Sequence, residues 1–152
     1  MTETHCGFND GPKGNGASLL AIYGPTLKVD IGFDPKFIPK AGIVPVPGIR
    51  DVDALVDTGA SESCIDNLLA SSLNLPIVDR RTISGSGGKH PANMYLAQIS
   101  VPALKVNIYG AFAGVDLRAG GQSHNALIGR TFLQGFTMVY EGKTGKVILS
   151  SK

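Results

Sequence analysis

The chain has 152 residues, 43% of them hydrophobic, which is enough for about one domain with a packed core. Lys and Arg total 14 and Asp and Glu total 12, so the formal net charge is +2, and the basic residues form no run. This pattern lacks the clustered basic face of nucleic-acid binding proteins, and no apolar run approaches the roughly 18 residues of a membrane-spanning helix. We therefore expect neither nucleic acid nor a membrane among the partners.

The N-terminal sequence MTETHCGFNDGPKGNG is rich in glycine and poor in apolar residues. It lacks the basic start and apolar stretch of a secretory signal, so we expect a cytoplasmic protein. The composition predicts a flexible leader over residues 1–16, followed by a single domain over residues 17–152.

Cysteine and histidine are too sparse to suggest a metal site. Cys6 and Cys64 are the only cysteines, and the three histidines are far apart in the sequence. Neither a disulfide framework nor metal-ligand spacing is present. We expect no metal and no cofactor.

The first half of the chain has mainly strand patterns. ASLLAIYG (17–24) is predicted to be a strand that ends at a Gly-Pro turn, and TLKVDIGF (26–33) alternates like a half-buried strand. Four prolines between residues 34 and 48 exclude a central strand and predict a long irregular connection or a set of edge segments. The strand pattern resumes in IRDVDALVD (49–57).

The second half predicts short helices among further strands. SCIDNLLASSLNLP (63–76) has helical spacing, with Asp66 or Ser63 as the N-cap and Pro76 as the stop. The fold class is therefore mostly β with one or two short helices. The other predicted elements are a hairpin with a glycine-rich tip (81–101), a strand (104–115), a loop (120–124), an apolar segment with a brief helix (125–136) and a closing hairpin (137–150).

The stretch ALVDTGAS (54–61) carries the candidate chemistry. An apolar strand runs into Asp57, and Thr58 and Gly59 follow at once. One interpretation is plain turn chemistry, because Asp bonds its own backbone and Gly takes positive φ. The other is a carboxylate presented from a rigid base, with the small residues Ala60 and Ser61 leaving space beside the acid.

A single carboxylate is a poor catalyst of amide hydrolysis, because it can activate water but leaves no acid to protonate the substrate. Two carboxylates about 3 Å apart cannot both ionise, so one acts as the base and the other as the acid. The chain has no second DTG or DSG triplet. The partner acid must then come from a second copy, with Asp57 beside its own image on a two-fold axis.

These residues resemble a known family. ALVDTGAS is similar to the active-site motif of the retropepsin-like aspartic proteases, the single-lobed relatives of pepsin. NALIGRTFLQ, roughly 70 residues later, resembles the family's second element. RTISGSGGKH lies where these proteases carry the flap, and TMVYEGKTGKVIL resembles their closing hairpin. The resemblance spans about residues 25 to 149.

The resemblance implies a closed acid-protease barrel, an obligate homodimer and an endopeptidase that acts on polypeptides without a cofactor. Asp57 of each subunit would hold the attacking water, Thr58 would interlock with its mate, and Gly59 would offer its carbonyl to the peptide. The C-terminal VILSSK would pair with its copy across the dimer. The remaining residues implied by the resemblance are Ala60 and Ser61 in the active-site loop, Leu127, Ile128, Gly129 and Arg130 as a supporting corner, and Gly85, Ser86, Gly87 and Gly88 in the flap.

One position departs from the retroviral pattern, and two other functions stay open. Ser61 stands where an Asp commonly pairs with the arginine of the Gly-Arg element, so Arg130 lacks that partner, and Glu62 is the neighbouring candidate. An alternative function is a catalytically silent pepsin-fold module for dimerisation or peptide binding. Phosphate binding at GSGGKH is a weaker alternative, because its glycines do not match the G-x-x-x-x-G-K-[ST] spacing.

Overall fold

The computed structural model describes residues 1–40, 42–85 and 87–152. Within these residues the chain is mostly β, as predicted. The helices are α1 (Gly16–Tyr23), α2 (Asn67–Ser72) and α3 (Arg130–Leu133), with a 3-10 turn at Pro102–Leu104. The strands are β1 (Glu3–His5), β2 (Thr26–Gly32), β3 (Ile49–Val56), β4 (Cys64–Asp66), β5 (Ile77–Gly85), β6 (Gly88–Val101), β7 (Val106–Val115), β8 (Ala126–Ile128), β9 (Thr137–Glu141) and β10 (Lys146–Ser150).

Six of the strands form a closed barrel. Their order is β2-β3-β8-β4-β7-β6, and β2 also pairs with β6, which closes the ring. Strand β5 pairs with β6 outside the ring, and together they form the predicted glycine-tipped hairpin. Closure removes the free edges that an open sheet would leave. The closed, mostly β architecture confirms the predicted fold class.

The barrel encloses the main hydrophobic core. Alternate residues of β2, namely Leu27, Val29 and Ile31, are buried, as the sequence pattern predicted. Ala54 and Val56 of β3 face the same core. Since side chains alternate across a strand, the residues between them face the other side of the sheet. That second face of the sheet forms part of the candidate active site.

The structure corrects the predicted strand over residues 17–24, which is helix α1. The Asn15 side chain accepts a hydrogen bond from the Ser18 amide at 2.8 Å, and Gly24 ends the helix at φ 72°. Both are ordinary helix-end signals. A short, uniformly apolar run has no clear period, so the pattern could not separate strand from helix. With α1, the described residues hold three short α-helices rather than one or two.

Residues 1–16, predicted to be a flexible leader, are packed onto the rest of the chain in the structure. Strand β1 pairs with β10, and the Cys6 side chain is 1% exposed. The Cys6 carbonyl accepts from the Thr26 amide at 2.7 Å, which joins this segment to the barrel. Burial raises the pKa of the Cys6 thiol to about 11. The division of the chain at residue 16 stays a prediction.

Strand β10 lies in the middle of a small three-stranded sheet. Its neighbours are β1 on one side and β9 on the other. A strand with both edges occupied has no backbone groups left for a further strand. The resemblance implied that VILSSK pairs with its copy across the dimer. In this arrangement the strand has no free edge for that pairing.

The proline-rich segment between β2 and β3 is an irregular loop, as predicted for the part that the structure describes. We call residues 34–47 the insert loop. The Asp34 carboxylate accepts hydrogen bonds from the Val46 amide and the Lys36 amide, and these bonds hold the pKa of Asp34 below its usual value. The Asp34 backbone exchanges two hydrogen bonds with the Gln98 side chain. The loop is therefore closed at its base.

Candidate active site

The position of Asp57 follows from the pairing of β3 with β8. These strands are parallel, and Val56 lies opposite Ile128. The Asp57 amide continues the ladder by donating to the Ile128 carbonyl at 2.9 Å. The chain then turns sharply, because the Ala60 amide donates back to the Asp57 carbonyl at 3.2 Å. Asp57 thus sits half-buried at the end of a strand anchored in the barrel.

The Gly59 amide orients the Asp57 carboxylate. It donates to Asp57 Oδ1 at 2.8 Å. A Cβ atom at position 59 would lie 3.0 Å from the same oxygen, so a larger residue would press on the carboxylate. The bond leaves Oδ2 without a hydrogen bond among the residues that the structure describes. The carboxylate bonds its own loop, as turn chemistry predicted, but Gly59 does not adopt the positive φ that this interpretation expected.

The corner between β8 and α3 braces this loop from behind. The Arg130 amide donates to the Ala60 carbonyl at 2.9 Å, and the Thr131 amide donates to the Ser61 carbonyl at 3.0 Å. Gly129 packs so closely that a Cβ there would lie 2.5 Å from the Glu62 carbonyl carbon. Ile128, Gly129 and Arg130 therefore contact the Asp57 loop, and Leu127 pairs with Leu55 and Cys64 beside it. Their role as a supporting corner stays a prediction.

The Arg130 side chain has a partner other than the expected one. Its Nη1 donates to the Thr58 carbonyl at 2.7 Å. Glu62 forms no ion pair with it within the described ranges, and instead accepts from the Thr131 hydroxyl at 3.4 Å. A backbone carbonyl therefore takes the role that a carboxylate was expected to fill.

Of the two residues predicted as possible caps of α2, Asp66 is the cap and Ser63 is not. The Asp66 carboxylate accepts from the Leu69 amide at 3.1 Å. The buried Ser63 hydroxyl accepts instead from the Gly129 amide at 3.0 Å. No local pattern could have indicated this bond, because it joins residues 66 positions apart.

The sheet face beside Asp57 is apolar. The strand register aligns five residues across it, one from each of five adjacent strands. Cys64 packs with this group, and burial together with the charges of Asp57 and Glu62 raises the pKa of its thiol to about 11. The thiol is therefore protonated at neutral pH. The row, which we call the apolar row, consists of Leu55, Leu127, Cys64, Ala113 and Met94.

The β5–β6 hairpin begins at the edge of the apolar row. Ile83 of β5 and Cys64 of β4 both pack against a small buried cluster of Ala92, Met94 and Ala113. At the tip, Gly85 pairs with Gly88, and Gly88 adopts φ 99°, a conformation that favours glycine. Gly85, Gly87 and Gly88 are exposed, and Ser86 lies outside the described residues. A long hairpin with an exposed tip thus adjoins the Asp57 site.

A mostly apolar groove of about 340 Å³ opens on the other side of Thr58. Thr58 itself is exposed at its rim. Its walls come from α3, the following turn and the β9–β10 hairpin. The lining residues are Thr58, Arg130, Leu133, Gln134, Phe136, Met138 and Leu149.

Comparison with known families shows the family to which the chain belongs. The profile described as aspartyl protease matches residues 44–132, more than half of the sequence. The chain belongs to the aspartyl protease family. The match contains both the Asp57 loop and the corner that braces it. A comparison with curated proteins gives no match.

Two solved structures are similar to this chain. EIAV protease complexed with the inhibitor HBY-793 is 18% identical, covers 72% of this chain and 85% of its own, and has a TM-score of 0.45. A retropepsin-like aspartic protease from Rickettsia conorii is 15% identical, covers 97% of this chain and 90% of its own, and has a TM-score of 0.48. None of the helices in residues 1–40, 42–85 and 87–152 is long and apolar enough to cross a bilayer.

Proposed function

We propose that the chain is an aspartic endopeptidase whose active site is completed by a second copy of itself. The observation that carries this proposal is the Asp57 carboxylate, held by the Gly59 amide at 2.8 Å on a braced loop beside an apolar sheet face. Family membership supports peptide-bond hydrolysis. The single DTG triplet supports sharing of the site between two subunits.

The two Asp57 carboxylates would share one proton across the two-fold axis. The ionised carboxylate takes a proton from water, and the resulting hydroxide attacks the scissile carbonyl carbon. The protonated carboxylic acid donates to the carbonyl oxygen, which forms a tetrahedral intermediate. Proton transfer to the nitrogen then lets the C–N bond break, giving a carboxylic acid and an amine. No covalent enzyme intermediate and no cofactor are required.

The surrounding residues would hold the substrate and the dimer. The Gly59 carbonyl and the glycine-rich tip of the β5–β6 hairpin would hydrogen-bond to an extended peptide as neighbouring strands do. Closure of this hairpin would exclude water from the cleft. The groove beside Thr58 would pack against the second subunit, since Thr58 lies next to the proposed axis.

Digestion of casein or a peptide library tests the proposal. We expect the wild-type chain to cleave, a statine-type inhibitor to block cleavage, and Asp57→Asn to abolish it. Asp53→Asn is the matched control: it lies in the same strand, pairs with Lys28 at 2.7 Å, and should remain active. Cleavage by Asp57→Asn would refute the catalytic role. Peptide binding without hydrolysis by the wild type would favour a silent binding module.

A further inference from the structure

The β5–β6 hairpin carries the excess positive charge of the chain. From Asp79 to Met94 it contains one Asp, two Arg and one Lys, a net charge of +2 with His90 neutral, which equals the net charge of the whole sequence. The rest of the chain is therefore neutral overall. Because the hairpin adjoins the candidate active site, its charges influence which polypeptides that site accepts.

The strand register shows which of these charges face the site. Arg81 pairs with Ala92, and Asp79 pairs with Met94. Residues that pair across two antiparallel strands share a face of the sheet, as do alternate residues along one strand. Ala92 and Met94 belong to the small buried cluster against which Cys64 packs. Arg81 and Asp79 therefore lie on the hairpin face that continues the apolar row.

The other basic residues of the hairpin lie on the opposite face. Arg80 pairs with Asn93, and its Nη1 donates to the side-chain oxygen of Asn93 at 3.2 Å. Lys89 pairs with Ser84 on that same face. Of the described Arg and Lys side chains of the hairpin, Arg81 alone is thus on the face of the apolar row.

Asp79 orients the Arg81 guanidinium. Arg81 Nε donates to Asp79 Oδ2 at 3.0 Å, and the Arg80 amide donates to Oδ1 of the same carboxylate at 2.8 Å. These bonds hold the pKa of Asp79 below its usual value. Within residues 1–40, 42–85 and 87–152, neither Nη nitrogen of Arg81 has an acceptor. An oriented guanidinium with free donors is suited to bind a carboxylate through two parallel hydrogen bonds.

Arg81 is far enough from the Asp57 loop to bind an acid there. Strand β5 is the third strand beyond β4, which contributes Cys64 to the apolar row beside Asp57. Three strand spacings amount to roughly 14 Å along the sheet, which an extended peptide spans in about four residues. This distance exceeds the Debye length of about 8 Å at physiological ionic strength. A carboxylate bound at Arg81 is therefore largely screened from the charge at Asp57.

We propose that Arg81 determines substrate specificity, and that the preferred substrates are polypeptides with an acidic side chain about four residues from the scissile bond. This inference rests on the proposed endopeptidase function. The apolar side chains next to the scissile bond contact the apolar row, and the acidic side chain accepts hydrogen bonds from the Arg81 guanidinium. Because the two subunits are related by a two-fold axis, the second Arg81 offers the same contact on the other side of the scissile bond.

Closure of the hairpin makes this contact selective. Arg81 is 65% exposed at its side chain, and an ion pair in so much water contributes little. When the hairpin lies over a peptide, water leaves the contact and the attraction between the two charges increases. The preference should therefore appear in kcat/KM for cleavage.

Matched synthetic peptides test the proposal. They share a sequence that the enzyme cleaves in the peptide library, and they carry Glu, Gln or Lys at the third, fourth or fifth residue from the scissile bond. At the best of these positions we expect kcat/KM to be at least about tenfold higher for Glu than for Gln, because a charge-assisted hydrogen bond replaces a neutral one. The Lys peptide should be cleaved more slowly than either.

Variants of the hairpin assign the preference to one side chain. Arg81→Gln should bring kcat/KM for the Glu and Gln peptides to within about twofold of each other. Arg80→Gln is the matched control, because it removes the same charge from the adjacent residue on the opposite face, and it should keep the preference. His90→Gln should keep it too, although His90 pairs with Ile83 on the Arg81 face.

The outcomes distinguish this inference from the proposed function. Equal cleavage of the Glu, Gln and Lys peptides by the wild type refutes the role of Arg81 and leaves the endopeptidase function standing. The role is also refuted if Arg81→Gln keeps the preference, or if Arg80→Gln or His90→Gln loses it. An equal decrease for all peptides in Arg81→Gln means a structural role instead of a specific one. If the wild type cleaves no peptide at all, both proposals are wrong.

Discussion

At the scale of single residues, Gly59 decides how the Asp57 carboxylate is presented. Its amide reaches Oδ1 at 2.8 Å, and a Cβ would lie 3.0 Å from that atom. We expect Gly59→Ala to displace the carboxylate and lower kcat on the order of 100-fold with little loss of stability, because small shifts of reacting groups are costly. Steady-state kinetics together with thermal unfolding checks this.

Gly11→Ala is the control for that substitution, since a Cβ at position 11 meets nothing within 4 Å. It should match the wild type in both measurements. If Gly59→Ala kept full kcat, the close contact between position 59 and Asp57 would have no catalytic consequence.

At the scale of elements, Asp66 joins helix α2 to the segment that follows β7. Its side chain is fully buried and accepts from three amides, those of Leu69, Leu117 and Arg118. Asp66→Asn replaces one acceptor oxygen by a donor that faces amide groups. We expect a loss of about 2 kcal/mol in the free energy of unfolding, measured by urea denaturation.

The control for Asp66 is Asp51→Asn. Asp51 is exposed and adopts φ 58°, a conformation that Asn tolerates well. The midpoint of its urea denaturation should equal that of the wild type. Equal stability of Asp66→Asn and the wild type would mean that the buried carboxylate does not stabilise the fold.

At the scale of the whole molecule, we expect His124 to make the free energy of unfolding depend on pH. The ring is 6% exposed, Nε2 lies 3.3 Å from the Thr26 hydroxyl, and Nδ1 has no partner among the described residues. Burial lowers the pKa of His124, and the charge of Asp53 opposes this only in part. The unfolded chain therefore binds the proton more readily, so this contribution is complete above about pH 6.5 and is lost as the pH falls below it.

We expect the free energy of unfolding to decrease between pH 7.5 and 5.5, by at most about 1.4 kcal/mol per pH unit for one proton. Urea denaturation at a series of pH values measures the slope. His124→Gln should flatten it, whereas His90→Gln, at an exposed position, should leave it unchanged. The same slope in all three proteins would exclude His124 as its source.

The proposed dimer is also tested at the scale of the whole molecule, and we expect its contacts to include the groove beside Thr58. Met138 lines this groove, whereas Val139 on the same strand points to the opposite face. Met138→Lys should weaken the dimer at least about tenfold by sedimentation equilibrium and lower activity in proportion, since a charge there would be desolvated. Val139→Lys should change neither the stability of the dimer nor the activity. Full activity of a strictly monomeric Met138→Lys would refute the shared active site.

The sequence by itself determined the elements whose pattern is local and periodic. The alternation in residues 26–33 and 49–57, the glycine-tipped hairpin and the closing hairpin all appear in the structure, because each is encoded by neighbouring residues. The DTG motif likewise indicated the loop at Asp57, and the second motif indicated the corner at Gly129. Helix α1 was missed because seven apolar and small residues in succession have no distinctive period.

Only the tertiary structure decided which distant residues meet. The pairing of β2 with β6 closes the barrel, Ser63 meets Gly129, and the Arg130 guanidinium finds the Thr58 carbonyl instead of a carboxylate. The same holds for β1, which lies against β10 and leaves the C-terminal strand without a free edge. Such contacts depend on chain closure over tens of residues, and a local pattern carries no information about it.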